Sequence, residues 1–212
     1  MKIGILGSGA VATSLAEGFV KHGHDVMVGT RTAAKLAEWG AANPKARVGA
    51  FADAAKFGEL LVLAVKGTVA ADPLRAAGAA SLAGKVVIDA TNPIADAPPE
   101  KGVLKYITTL EDSLMERLQR EFPGARFVKA FNSVGNRSMV DPAFAGGKPT
   151  MFICGDDAAA KETVRGILDR FGWETEDCGG VEAARAIEPL AMLWCIPGFL
   201  KNDWVHAFKL LR

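Results

Sequence analysis

The stretch Ile5–Leu15, ILGSGAVATSL, sets Gly7 and Gly9 between an apolar run and a helix-forming run, and few chain geometries accept that arrangement. The preceding residues 3–6, IGIL, read as a strand, and Val11 to Lys21 as a helix closed by Gly23. Gly7 permits a tight strand-to-helix turn, Gly9 lets the backbone approach a bound pyrophosphate, and Ala12 is small enough for close helix–strand packing. The first amides of the helix have no intrahelical partner, and the helix dipole there favours negative charge. Glycine turns are common, but a second strand, DVMVG at 25–29, follows this helix at the spacing of a βαβ unit. The pattern predicts a dinucleotide held at Gly7, Ser8, Gly9, Ala10 and Val11.

The chain continues in the same alternation. A helix is expected around 33–39 and a short strand at 47–51. LLVLAV (60–65) and KVVIDATNP (85–93) read as strands buried on both faces, then come a helix over 110–122 and a strand in ARFVKAFN (125–132). Strands separated by helices imply crossover connections, hence an α/β fold with a doubly wound parallel sheet of the Rossmann type over residues 1–135. Residues 136–212 are expected to form a small C-terminal α/β lobe closing an acceptor cleft, with the junction near Val134–Lys148, where Gly146, Gly147 and Pro149 mark a turn. Within it, strands are expected at 149–155 and 173–179 and a helix over 158–171. Glu182–Arg212 is expected to be mostly helical, interrupted at Pro197-Gly198. Leu200, Trp204, Phe208 and Leu211 would share one face of that helix, for core packing or for the contact of a homodimer.

Composition narrows the partners. Half of the 212 residues are apolar, 23% are charged and the net charge is +1, an ordinary globular balance that gives no reason to expect nucleic acid or an acidic membrane. No apolar run approaches the ~20 residues of a membrane span, and no signal-peptide pattern is seen, so a soluble cytoplasmic protein is expected. Cys154, Cys178 and Cys195 lie far apart, with neither disulfide nor metal-ligand spacing, and suit buried thiols in a reducing compartment.

The tip of the second strand is unusual. Dinucleotide folds commonly place Asp or Glu there to bond the adenosine ribose, but this chain has Thr30, Arg31 and Thr32, with Lys35 one turn on. Without an acid, a 2′-phosphate is not repelled; Thr30 offers a hydrogen bond and Arg31 a charge-assisted contact, so the cofactor read from the residues is NADP(H).

Ligands of open parallel sheets lie beyond the carboxyl ends of the strands. Val65 and Lys66 are expected to border the ribose and pyrophosphate. Asn92-Pro93 and Asn132-Ser133-Val134-Gly135 are expected near the nicotinamide, although capping and turn formation explain such residues equally well. The catalytic group stays unassigned. His22 and His24 precede the second strand, at the opposite end of the sheet, and His206 is expected in the final helix. Lys66 or Lys129 could supply a proton, and no metal site is expected.

These motifs resemble the NADPH-dependent deazaflavin (coenzyme F-420) oxidoreductase family. The resemblance covers nearly the whole chain and is carried by GILGSGAVATSLA, VGTRTAAK and VKAFNSVG. It implies that Ser8 to Val11 match the pyrophosphate turn, Thr30, Arg31 and Lys35 the 2′-phosphate contacts, and Val134-Gly135 the segment beside the nicotinamide. It also implies hydride exchange with a small-molecule acceptor, a coenzyme F-420-type deazaflavin or a flavin, and a homodimer. The soluble domain of membrane ferric reductases is similar too. Two other functions stay open: an NADPH-dependent reductase of a small imine or carbonyl, and a non-catalytic NADP-binding sensor.

Overall fold

In the computed structural model, which describes residues 1–212, strands and helices alternate as the apolar pattern requires. β1 (Lys2–Leu6) leads to α1 (Ala10–Lys21), β2 (Asp25–Gly29), a 3₁₀ turn at Ala33–Leu36, α2 (Ala37–Ala42), β3 (Ala46–Gly49) and α3 (Phe51–Phe57). Then come β4 (Leu60–Leu63), α4 (Ala71–Ala77), α5 (Ala79–Leu82), β5 (Val86–Asp89), α6 (Leu114–Glu121) and β6 (Arg126–Lys129). β7 (Thr150–Ile153), α7 (Ala158–Arg170), β8 (Glu174–Asp177) and α8 (Ala184–Lys201) complete the chain.

The six strands lie in the order β3-β2-β1-β4-β5-β6, and every pair is parallel. The order reverses between β1 and β4, which opens a crevice at their carboxyl ends. Registers align those ends: Leu6 pairs with Gly29 and Leu63, Leu63 with Asp89, and Asp89 with Lys129. Alternate residues feed two apolar layers. Ile3, Ile5, Leu60, Val62, Ile88 and Val128 pack with α1 and α7 on one face, while Leu61, Leu63, Val87 and Phe127 pack with α3, α4, α6 and the start of α8 on the other. Burial on both faces is why β4 reads as an unbroken apolar run.

The residues after 135 build a two-stranded parallel sheet, β7–β8, joined to β6 by the Lys129–Cys154 bridge. Met151, Ile153, Phe171 and Trp173 belong to the same apolar layer as the large sheet.

The C-terminus departs from expectation. α8 runs unbroken through Pro189 and Pro197 and ends at Asn202, whose left-handed backbone (φ 53°) stops it. Residues 202–212 are not helical, so Leu200, Trp204, Phe208 and Leu211 share no helix face and His206 lies in a strap. The strap runs beside β7, where Thr150 N donates to Phe208 O. Packing decides this: Gly198 leaves room for the Trp204 ring, which a Cβ there would meet at 2.3 Å. Residues 181–201 are long and apolar enough to cross a membrane by composition alone, with a mean hydropathy of 1.2. Arg185 and Glu188 of this helix are nevertheless ion-paired within the fold.

Candidate functional site

Gly7 is required where β1 turns. Its φ is 151°, and a Cβ would lie 2.1 Å from the Ala64 carbonyl oxygen. Gly9 differs: a Cβ there would meet nothing within 4 Å, so the fold itself leaves space in front of it. Gly9 is also the N-cap of α1 and provides no side-chain cap, which leaves the first amides of the helix facing that space.

Two cavities meet at this turn. One, of about 430 Å³, is lined by Ser8, Gly9, Ala10, Val11, Arg31 and Val65 among others. The second, of about 660 Å³, shares Val11, Val65, Lys66 and Ala90 with it and extends along Asn92 to the loop Ile94–Pro98. Together they form one groove along the carboxyl ends of β1, β4 and β5.

Of the two cationic groups that follow β2, Arg31 lines the first cavity and Lys35 does not. Arg31 and Lys35 are exposed, and no acidic side chain pairs with either. Thr30 is buried, and its hydroxyl accepts the Thr32 N–H at 3.2 Å. It therefore shapes the turn, and its hydroxyl is not free as the sequence suggested.

At the far end the structure corrects several expectations. Asn132, Ser133 and Val134 are buried, and neither they nor Gly135 line the groove. The Asn132 side chain donates to Ile187 O (2.8 Å) and to Asn92 Oδ1 (3.3 Å), while Asn92 Nδ2 donates to Asn132 O (2.8 Å). The two amides thus lock the ends of β5 and β6 together, and Asn132 Oδ1 keeps an unused acceptor position. Pro93 is buried behind Asn92. No residue beyond 135 lines the groove; α8 acts on it from behind, through the Ile187 carbonyl.

Lys129 cannot supply a proton to the groove. Its side chain is 0% exposed, and Nζ lies 2.7 Å from Asp89 Oδ2 and 2.9 Å from Glu188 Oε1. Burial pushes its pKa down, but the two carboxylates outweigh burial and hold it above the ordinary lysine value. Lys66 does reach the groove, where it pairs with Asp96 at 2.9 Å. Hydrogen bonding and charge from Lys66, helped by Thr68, hold the Asp96 carboxyl below its usual range.

The sequence reading missed the wall Ile94–Pro98 and the partners of Lys129. An aspartate ending the apolar strand VVID and a lysine ending RFVK were the available signals. Expectations for the thiols hold in part: all three cysteines are free and Cys154 is buried, but Cys178 is exposed. Burial pushes the Cys154 thiol up to about 12.

Residues 2–93 match the family described as NADP oxidoreductase, coenzyme F420-dependent. The F420-dependent NADP reductase of Methanothermobacter marburgensis is 30% identical over 216 residues, covering 91% of this chain and 90% of that protein. Metalloreductase STEAP3 of Rattus norvegicus is 33% identical over 94% of this chain, which spans only 39% of that protein's length. A crystal structure from Arthrobacter sp. FB24, provisionally described as an F420-dependent NADP reductase, superimposes over the full length of both chains with a TM-score of 0.93 and 36% identity.

Proposed function

The chain belongs to the family of coenzyme F420-dependent NADP oxidoreductases and is an NADP-dependent oxidoreductase; from that premise we propose that it exchanges hydride between NADP(H) and a flat, diffusible ring acceptor, a deazaflavin of the F420 type or a flavin.

The observation that carries the cofactor half is the pairing of an open Gly9 with an unpartnered Arg31 around one cavity. The space before Gly9 and the free amides of α1 suit a pyrophosphate. Arg31 and Lys35, neither of them paired with a carboxylate, suit a 2′-phosphate, and the Thr30–Thr32 turn holds Arg31 at the rim. Val65, Lys66 and Ala90 would then flank the ribose, and the 660 Å³ end would take the nicotinamide beside Asn92. NADPH supplies the hydride and this chain supplies position: two rings held at contact distance need little further catalysis.

The lining of that end bears on the acceptor. Val65, Ala90, Ile94, Ala95, Ala97 and Pro98 make a largely apolar wall, and its charged side chains, Lys66 and Asp96, form a solvent-exposed pair with each other. A ring that delocalises the incoming electron pair takes its proton from solvent, whereas a carbonyl or imine needs a donor at the reacting carbon. The wall therefore favours the ring acceptor. NADPH oxidation measured against F420, FMN and riboflavin, then against an imine and carbonyl panel, tests the assignment. Turnover confined to the second panel would replace it, and tight NADP binding with no turnover would favour a sensor.

A homodimer is part of the same proposal. Between Glu188 and Lys201, α8 carries no charged side chain, and Leu193, Phe199 and Leu200 stand exposed on it. Light scattering on the purified protein checks it; a monomer at micromolar concentration would count against it.

A further inference from the structure

Directly behind the groove lies a buried charge cluster whose hydrogen bonds converge on one residue. Asp89 and Lys129 are register partners at the ends of β5 and β6, and Glu188 reaches them from α8. Lys129 Nζ is ion-paired with Asp89 Oδ2 and Glu188 Oε1 and donates a hydrogen bond to the Thr91 carbonyl at 3.1 Å. Asp89 Oδ1 accepts both the Thr91 N–H (2.9 Å) and the Thr91 hydroxyl (2.6 Å). Glu188 accepts the N–H groups of Leu114 and Met115, which open α6, each at 3.0 Å. Both backbone polar groups of Thr91 are thus held by buried charge, and the next residue is Asn92, which lines the groove. The Asn92 carbonyl is pressed so close to Gly67 that a Cβ there would lie 2.0 Å from it.

We propose that Lys129, acting with Asp89 and Glu188, is a positioning residue for hydride transfer: the cluster fixes Thr91, and through it the depth at which Asn92 meets the nicotinamide. A single hydrogen bond would let that turn shift; opposed charges in a medium of low dielectric do not. Because Glu188 belongs to α8 and caps α6, the same contact ties both helices to the reacting end of the groove. The inference rests on the functional reading above, and it places a residue with no solvent exposure in control of the reaction geometry.

Two variants test it. Lys129→Gln with Glu188→Gln keeps the cluster's net charge at a single negative while removing the ion pairs. Thr91→Val leaves the ion cluster whole and removes only the hydroxyl bond to Asp89. Displacements near 1 Å cost up to about a hundredfold in rate, so hydride transfer in the double variant is expected to fall on the order of 10- to 100-fold, and in Thr91→Val about threefold. The NADPH dissociation constant should stay nearly unchanged, because the phosphates are held at the other end of the groove. The deuterium isotope effect with 4-deuterated NADPH should rise in both variants, a change that loss of stability alone does not produce. The fluorescence of bound NADPH, read with no acceptor present, should shift as well, and this holds even if the acceptor assignment fails. A folded Thr91→Val protein with wild-type rate, isotope effect and bound-nucleotide fluorescence overturns the proposal, however the double variant behaves. Loss of NADPH affinity in step with rate would also overturn it.

Discussion

Lys129 Nζ and Asp89 Oδ2 lie 2.7 Å apart on adjacent parallel strands, and neither side chain is exposed to solvent. Removing one member of such a pair leaves a buried charge without compensation. Lys129→Met is therefore expected to lose about 3–5 kcal/mol of stability, measured by urea unfolding. The sign of the pH effect follows from the raised pKa: the stabilisation is complete below the ordinary lysine value and is lost only as pH rises past it. The wild type should thus keep the contribution of the Lys129 charge from roughly pH 6 to 9, well below that value of about 10.4. A loss under about 1 kcal/mol would show that the cluster is better hydrated than its burial indicates.

Gly7 and Gly9 should fail in opposite ways. Gly7→Ala forces a Cβ against the Ala64 carbonyl and should destabilise the fold, because the backbone of β4 cannot give way. Gly9→Val meets open space and should melt like wild type, yet its side chain occupies the room assigned to pyrophosphate. Losing one hydrogen bond to a charged group costs about 1.5–3 kcal/mol, so NADPH affinity should drop at least roughly tenfold. Calorimetry beside thermal melting separates the two effects.

Cofactor choice should reside at the tip of β2. Thr30→Asp with Arg31→Ala installs a ribose acceptor and removes the cation. The preference for NADPH over NADH should fall by roughly ten- to a hundredfold, one charge-assisted contact's worth. Unchanged discrimination, measured as the ratio of the two dissociation constants, would remove the 2′-phosphate assignment.

Acid stability should depend on Glu116. Hydrogen bonds from Arg185, outweighing burial, hold its carboxyl below the usual range, and Ser113 adds further bonds in a capping box. A carboxyl with a lowered folded pKa contributes stability above its unfolded value and loses it as pH falls. Wild type should therefore weaken below about pH 4.3. Glu116→Gln should be less stable at neutral pH and show a flatter acid limb. Parallel acid limbs in the two proteins would assign the acid transition to other carboxylates.

Much of the architecture was legible because its signals are local. A glycine whose Cβ would strike Ala64 must be glycine, and a strand buried on both faces must be apolar, so the turn at 7–11 and the runs at 3–6 and 60–65 announced themselves. The placement of Arg31 just beyond β2 was readable for the same reason, because a strand end is set by local pattern. The expected helix through Arg212 failed because apolar spacing in the tail suits a strap lying on Gly198 and β7 as well as it suits a helix.

By itself, the order of residues determined the alternation of strands and helices, the glycine turn after β1 and the cationic strand tip, since each depends on neighbours within a few positions. Only the tertiary structure decided that Lys129 is a buried ion rather than a proton donor, that Asn132 braces Asn92 from behind, and that Ile94–Pro98 walls the groove. Those outcomes require Asp89, Lys129 and Glu188 to meet from two strands and a helix up to a hundred residues apart, and a charge's behaviour is set by what surrounds it in space.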